Sequence, residues 1–279
     1  MPVRNPRKNP KPDPLGQSLQ IRQIRDGLIT KRLGAKLHYF LEIDSTNAYA
    51  RRLAAAGADE GEIVIAEAQT RGRGRLGRSW ISPPFVNLYL SVILRPHLPP
   101  IHAPQLTLMA AVALADTVAS FLHIAPTIKW PNDILIEGRK LAGILTESRC
   151  DSEQIEFVIL GIGVNLNYPV ELMPDPIRER ATSIVSVTQN EVSREEFFRR
   201  LIQALDRCYG EIEESGFEGL ARRWEARFGL RGKKVRAQMA GRTMIGTAKG
   251  IDTDGALILE DSRGERQRIV AGDVIPAED

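Results

Sequence analysis

A chain of 279 residues with 43% apolar and 26% charged side chains has ordinary globular composition and room for one sizeable domain plus a small one. Its 38 lysines and arginines exceed its 35 acids by three, too few for a wholesale nucleic-acid binder, so an anion site has to be local. Cys150 and Cys208 lie far apart without metal-ligand spacing, which excludes a disulfide scaffold and makes a reducing cytoplasm the expected setting.

The first 18 residues, rich in proline and basic side chains but lacking an apolar run, read as a disordered tail and fail as a signal peptide. Ile21, Ile24, Leu28 and Ile29 have helical spacing, with Gly34 as the stop. LHYFLEI is a strand, and DSTNAYARRLAAAGA a helix that Asp44, Ser45 or Thr46 can cap. EIVIAEA and NLYLSVIL are strands joined by an arginine-rich loop. LTLMAAVALADTVASFL, interrupted by Asp116 and short of a spanning length, reads as a buried helix, with no membrane partner. TIKWPNDILI, KLAGILTES and EFVILGIGVNL read as neighbouring strands, with EGR as a turn. Two helices follow from Ser193, which stands in capping-box spacing with Glu196. From Gly229 the pattern changes to four short alternating strands, a small barrel-like module. The expected fold class is α+β: a mixed sheet flanked by helices over 19–228, then a small β module over 229–279.

Four segments put polar or glycine residues where an apolar strand ends: DSTN, QTRGRGRLGRSW, KWPND with RKLAGIL, and GIGVNLN. RGRGRLGRSW holds four arginines, three glycines and no acid; guanidiniums fork onto carboxylate or phosphate while glycines let backbone approach an anion. Taken singly, each segment also has a plain reading as a cap, a turn, a solvated lysine or close strand packing.

In this order the segments resemble the biotin protein ligase family, over essentially the whole chain after the tail. The resemblance implies an SH3-like carboxyl-terminal domain and a two-step reaction using biotin, ATP and Mg2+. Biotin would be activated to biotinoyl-adenylate and passed to a lysine of a biotin carboxyl carrier domain, that of acetyl-CoA carboxylase or a related carboxylase. It implies Ser45, Thr46, Asn47 and Gln69 on the ureido ring, a narrow slot at Ala142 and Gly143, and Arg73, Gly74 and Arg75 along the ligand. Lys140 would bridge the biotin carboxylate and the α-phosphate. Arg78 and Lys129 would serve phosphates, Trp80 and Trp130 would stack on or wall the adenine, and Asn132 and Asn165 would meet adenine or phosphate. Asp133 would orient the acceptor lysine or help hold magnesium, an ion expected to be carried mainly by ATP.

A lipoate ligase or octanoyl transferase shares this logic but lacks the GRGRxGRxW loop and this form of KWPND followed by RKLAGIL. A repressor's winged helix needs about sixty residues that the amino terminus does not hold, so no specific DNA binding is expected. A scaffold role for the β module is a third reading. Monomer and homodimer both stay open.

Overall fold

Burial on both faces of three central strands decides the architecture. The computed structural model describes residues 18–239 and 242–277, so all but Ser18 of the tail expected at 1–18 lies outside the described residues. Strands β1 (Leu37–Ile43), β2 (Ile63–Gln69), β3 (Leu88–Leu94), β4 (Thr127–Lys129), β5 (Asp133–Ile136), β6 (Arg139–Cys150) and β7 (Ile155–Val164) form one sheet. Their order is β1-β2-β3-β7-β6-β5-β4; β1 runs parallel to β2 and the other pairs are antiparallel. Every β3 side chain is buried, because helices cover both sides.

The period of two sorts the strands into two faces. Val64, Ile93, Phe157 and Ile159 pack beneath helix α2 (Thr46–Ala55) with Ala50 and Ala54. Ile63, Ile65, Leu90, Val92, Val158, Leu160 and Ile162 face the larger core on the other side, where α3 (Ala103–Ala119) and α6 (Arg194–Ser215) meet. The stretch Pro100–Ala119 is long and apolar enough to cross a membrane, but most of α3 is buried inside this core.

Two expectations for the large domain needed correction, and one segment carried none. Helix α1 (Ile21–Asp26) ends before Gly34, because the N–H groups of Lys31, Arg32 and Leu33 donate to the Asp206 carboxylate on α6 at 2.8–2.9 Å instead of to helical carbonyls. TIKWPNDILI is two strands, split by a turn containing the cis Trp130–Pro131 bond. The segment between β7 and α6, without an assignment from sequence, contains the short helices α4 (Asp175–Arg178) and α5 (Ile184–Thr188).

After α7 (Glu218–Glu225), the carboxyl-terminal module has five strands where four were expected. They are β8 (Lys234–Met239), β9 (Arg242–Ile251), β10 (Leu257–Glu260), β11 (Arg266–Ile269) and β12 (Asp273–Pro276), in the order β11-β10-β9-β8-β12. The chain breaks at Gly272, whose φ of 138° lies in the glycine-favoured region, and β12 crosses to pair with β8.

Two charged contacts tie these parts together. Glu67, fully buried on β2, lies 2.6 Å from Arg194 and accepts from the Leu19 N–H and the Tyr39 hydroxyl, joining the amino-terminal segment, β1, β2 and α6. Asp273 on β12 takes Arg78 at 2.6 Å and Lys129 at 3.3 Å, joining the small module to the large sheet. Burial alone would raise the Asp273 carboxyl, but Arg78 and Lys129 outweigh it and hold its pKa below the usual aspartate range. Replacing Arg194 with alanine strands a buried carboxylate and is expected to cost about 3–5 kcal/mol in urea unfolding. The advantage of wild type over Asp273→Asn in thermal melts should be about 1 kcal/mol, discounted for the exposed Arg78. A depressed carboxylate stabilises above its unfolded pKa, so this advantage should be full at neutral pH and vanish as pH falls through the lowered value.

Candidate functional site

On the α2 face of the sheet, apolar side chains give way to bare backbone. Strand register aligns Glu147 with Ile159 and Ile93, Leu145 with Gly161 and Ser91, and Gly143 with Gly163 and Tyr89. Three glycines therefore sit together where helix α2 begins. A side chain on Gly161 would collide with the Asn47 amide, and one on Gly163 with the Trp80 indole; at Gly143 it would crowd Lys140 and Trp80 at 3.1–3.2 Å. The floor is flat because each position needs close approach.

At one end of this floor the start of α2 supplies polar groups. Ser45 caps the helix, its Oγ accepting from the Ala48 N–H, so the capping and pocket-lining roles fall on one residue. Gln69 accepts from the Thr46 N–H at 2.9 Å and donates to Ser82 Oγ at 3.0 Å. The Ser91 hydroxyl, from the middle of an apolar strand, donates to Asn47 Oδ1 at 2.6 Å and lies 2.8 Å from Thr46 Oγ1. Asn47 Nδ2 donates to the Leu145 carbonyl and to Glu147. Ser45, Thr46 and Asn47 are all buried, so these bonds hold hydroxyls and an amide in set orientations.

The arginine loop closes over the floor as a small hairpin. Arg73 pairs with Ser79, Gly74 donates to the Arg78 carbonyl and Trp80 to the Gly72 carbonyl. A side chain on Gly72 would strike the Trp80 backbone, while Leu76 and Gly77 turn the tip with φ of 55° and 74°. Leu76 is therefore a left-handed non-glycine residue, largely exposed. The indole of Trp80 lies on the glycine floor, with Lys140 Nζ 5.4 Å from its ring centroid, and the space left is about 50 Å³.

Cations gather at the other end. Lys140 Nζ is 2.6 Å from Asp133, which pairs across the sheet with Gly143. The turn expected at EGR is a two-residue hairpin between β5 and β6 on Glu137 and Gly138, both at positive φ, with Arg139 already in β6. Arg75 donates to Asn132 Oδ1 at 3.1 Å, and Asn132 Nδ2 bonds the Ile144 carbonyl. Burial lowers the Arg75 pKa, opposed by Asp133 and Asp273; a guanidinium still keeps its proton. Arg73 instead turns back to the Asn47 end, where it pairs with Glu147 at 3.1 Å.

Ser45, Thr46, Asn47, Gln69, Arg73, Gly74, Arg75, Trp80, Asn132, Lys140 and Gly143 thus line one slot. Asp133 adjoins it through Lys140, and Arg78 and Lys129 stand aside on Asp273. Three expected residues point elsewhere. Ala142, expected beside Gly143 in the narrow slot, is fully buried with Val164 in the core on the opposite face of the sheet, because neighbouring residues of a strand face opposite ways. Trp130 is 2% exposed and donates its N–H to the Gly255 carbonyl of the small module, so it does not wall the slot. Asn165 is buried between Asn87 and the Thr182 carbonyl, where it fastens the segment after β7. Ser91, Glu147 and Asp273 escaped the sequence reading; a lone hydroxyl in NLYLSVIL was the single local sign of the first.

Residues 39–165 match the Biotin/lipoate A/B protein ligase family, and residues 231–275 the Biotin protein ligase C terminal domain. The bifunctional ligase/repressor BirA of Bacillus subtilis is 37% identical over 264 residues, 95% of this chain and 80% of that protein. The biotin-acetyl-CoA-carboxylase ligase of Mycobacterium tuberculosis is 36% identical over 271 residues, covering 94% and 97% of the two chains. The solved biotin protein ligase of Aquifex aeolicus in complex with biotin and ATP superposes with a TM-score of 0.76 at 25% identity, over 88% of this chain and all of that one. Similarity of this extent, spanning both the large sheet and the small module, establishes that the chain belongs to the biotin protein ligase family.

Proposed function

We infer that the slot binds biotin and ATP, joins them as biotinoyl-adenylate, and passes the biotinoyl group to a carrier-domain lysine. The observation that carries this reading is a side-chain-free floor with hydroxyl and amide groups at one end and Lys140 with Arg75 at the other. A ureido ring needs a matched set of donors and acceptors, which Ser45, Thr46, Asn47 and Gln69 offer. The apolar ring and valeryl chain suit the glycine floor, and the carboxylate then lies toward Lys140.

The Trp80 indole lies directly on Gly163 and Gly143, where the ring and valeryl chain would run, so binding there requires the indole to leave the floor. An indole displaced from there is suited to cover the adenylate. In the first step a carboxylate oxygen attacks the α-phosphorus and pyrophosphate leaves. Lys140 offsets the repulsion between the two anions, and Arg73 and Arg75 hold the phosphate. In the second step the acceptor lysine, as the free amine, attacks the acyl carbon and AMP departs. Until then the loop must exclude water from a reactive anhydride.

Arg78 and Lys129 are assigned to the outer phosphates, which would take them from Asp273. Asp133 already carries Lys140 at 2.6 Å, and no group of three metal-ligating side chains occurs among the described residues. Magnesium would therefore enter mainly on the ATP phosphates. Residues 19–228 are assigned the chemistry and 229–279 the anchoring of the loop through Asp273. The acceptor is assigned as the biotin carboxyl carrier domain of acetyl-CoA carboxylase or a related carboxylase, and the location as cytoplasmic.

Mass spectrometry of the protein with Mg-ATP and either biotin or lipoate tests the function. Biotinoyl-adenylate with pyrophosphate is expected from biotin alone; no adenylate from biotin would overturn the reading. Lys140→Ala should lower the adenylation kcat by about 10²–10³, the cost of removing one charge-stabilising donor, with Lys140→Arg recovering part of it. Pyrophosphate release under saturating biotin and ATP measures this.

A further inference from the structure

Glu147 is a carboxylate that the reaction described above leaves without a task. Cross-strand pairing sets it opposite Ile159, at the apolar edge of the bare floor, and its side chain is only 20% exposed. A charge in that row needs compensation. Both oxygens have it: one accepts from Asn47 Nδ2 at 2.9 Å and the other lies 3.1 Å from the Arg73 guanidinium.

The two partners belong to different parts of the slot. Asn47 stands in the first turn of α2, and its amide hydrogens go to Glu147 and the Leu145 carbonyl while Oδ1 faces Ser91. With both hydrogens committed, the amide has one orientation. Arg73 begins the loop hairpin, and Glu147 is its ion-pair partner. We propose that Glu147 is a positioning residue that fastens the arginine loop to the Asn47 amide, so that the polar end of the slot and its cover are held as one unit. The catalytic consequence rests on the ligase reading; the contact itself does not.

Glu147→Gln separates the two roles, since glutamine keeps an oxygen for Asn47 but turns a non-accepting amide nitrogen toward Arg73. Glu147→Ala removes both contacts. Trypsin cuts after arginine, and the loop carries Arg71, Arg73, Arg75 and Arg78. Without any ligand, Glu147→Gln should be nicked in the loop about fivefold faster than wild type at the same melting temperature, the scale of one half-exposed charged hydrogen bond.

With biotin and Mg-ATP, the same variant should release free biotinoyl-adenylate about fivefold faster while its biotin KM stays within about twofold. Glu147→Ala should add a rise of about tenfold in biotin KM, because the Asn47 amide loses its acceptor. Loop nicking at the wild-type rate in both variants would overturn the proposal, as would an equal KM rise in both with no change in adenylate release. If wild type forms no adenylate while the nicking rates differ as expected, the ligase reading fails and the loop anchor stands.

Discussion

The absence of side chains at Gly143, Gly161 and Gly163 is the constraint on which the site depends. Antiparallel register brings the three together on one face of the sheet, next to the start of α2. Any Cβ at Gly161 or Gly163 would collide with Asn47 or Trp80, so close approach to backbone is built into the strands. On their opposite face Ile144, Leu160 and Ile162 join the core against α3, where Thr146 bonds to Thr107. Stability and function thus use alternate residues of the same strands, and the period of two keeps them apart.

Around that floor the protein holds its polar groups by mutual bonding. Thr46 and Asn47 are positioned through Ser91, Gln69 and Glu147, and Asn132 is bonded to β6 beneath Arg75. Little reorganisation then remains for the reacting state, which is the condition under which fixed dipoles and charges accelerate a reaction. The arginine loop takes its shape from Gly72, Leu76 and Gly77, but its hold on the sheet comes from Glu147, Asn132 and Asp273. Three carboxylates, Glu147, Asp133 and Asp273, balance cations that an anionic ligand would otherwise find free.

The strands and helices were legible because hydrophobic period carries that information locally. Ser45, Thr46, Asn47 and the arginine loop were legible as a site because polar and glycine residues interrupt apolar strands there. Features set by distant pairing were hidden. Helix α1 stops where Asp206, more than 170 positions away, captures its following N–H groups. Trp130 looks the same in sequence whether it faces a ligand or Gly255 of the small module. Glu147 and Ser91 become part of the site only once register sets them beside Gly161, and Asp273 only once β12 crosses to β8. Roles that rest on strand parity need the pairing, and pairing is a property of the whole sheet.

The central claim is that biotin lies on the glycine floor between Asn47 and Lys140. A crystal structure of the protein with biotin tests it most directly. The account predicts the ureido group within hydrogen-bond distance of the Ser45 to Asn47 turn, the chain crossing Gly161 and Gly163, and the Trp80 indole moved off the floor. Biotin bound elsewhere, or bound with Trp80 still against Gly163, would contradict it.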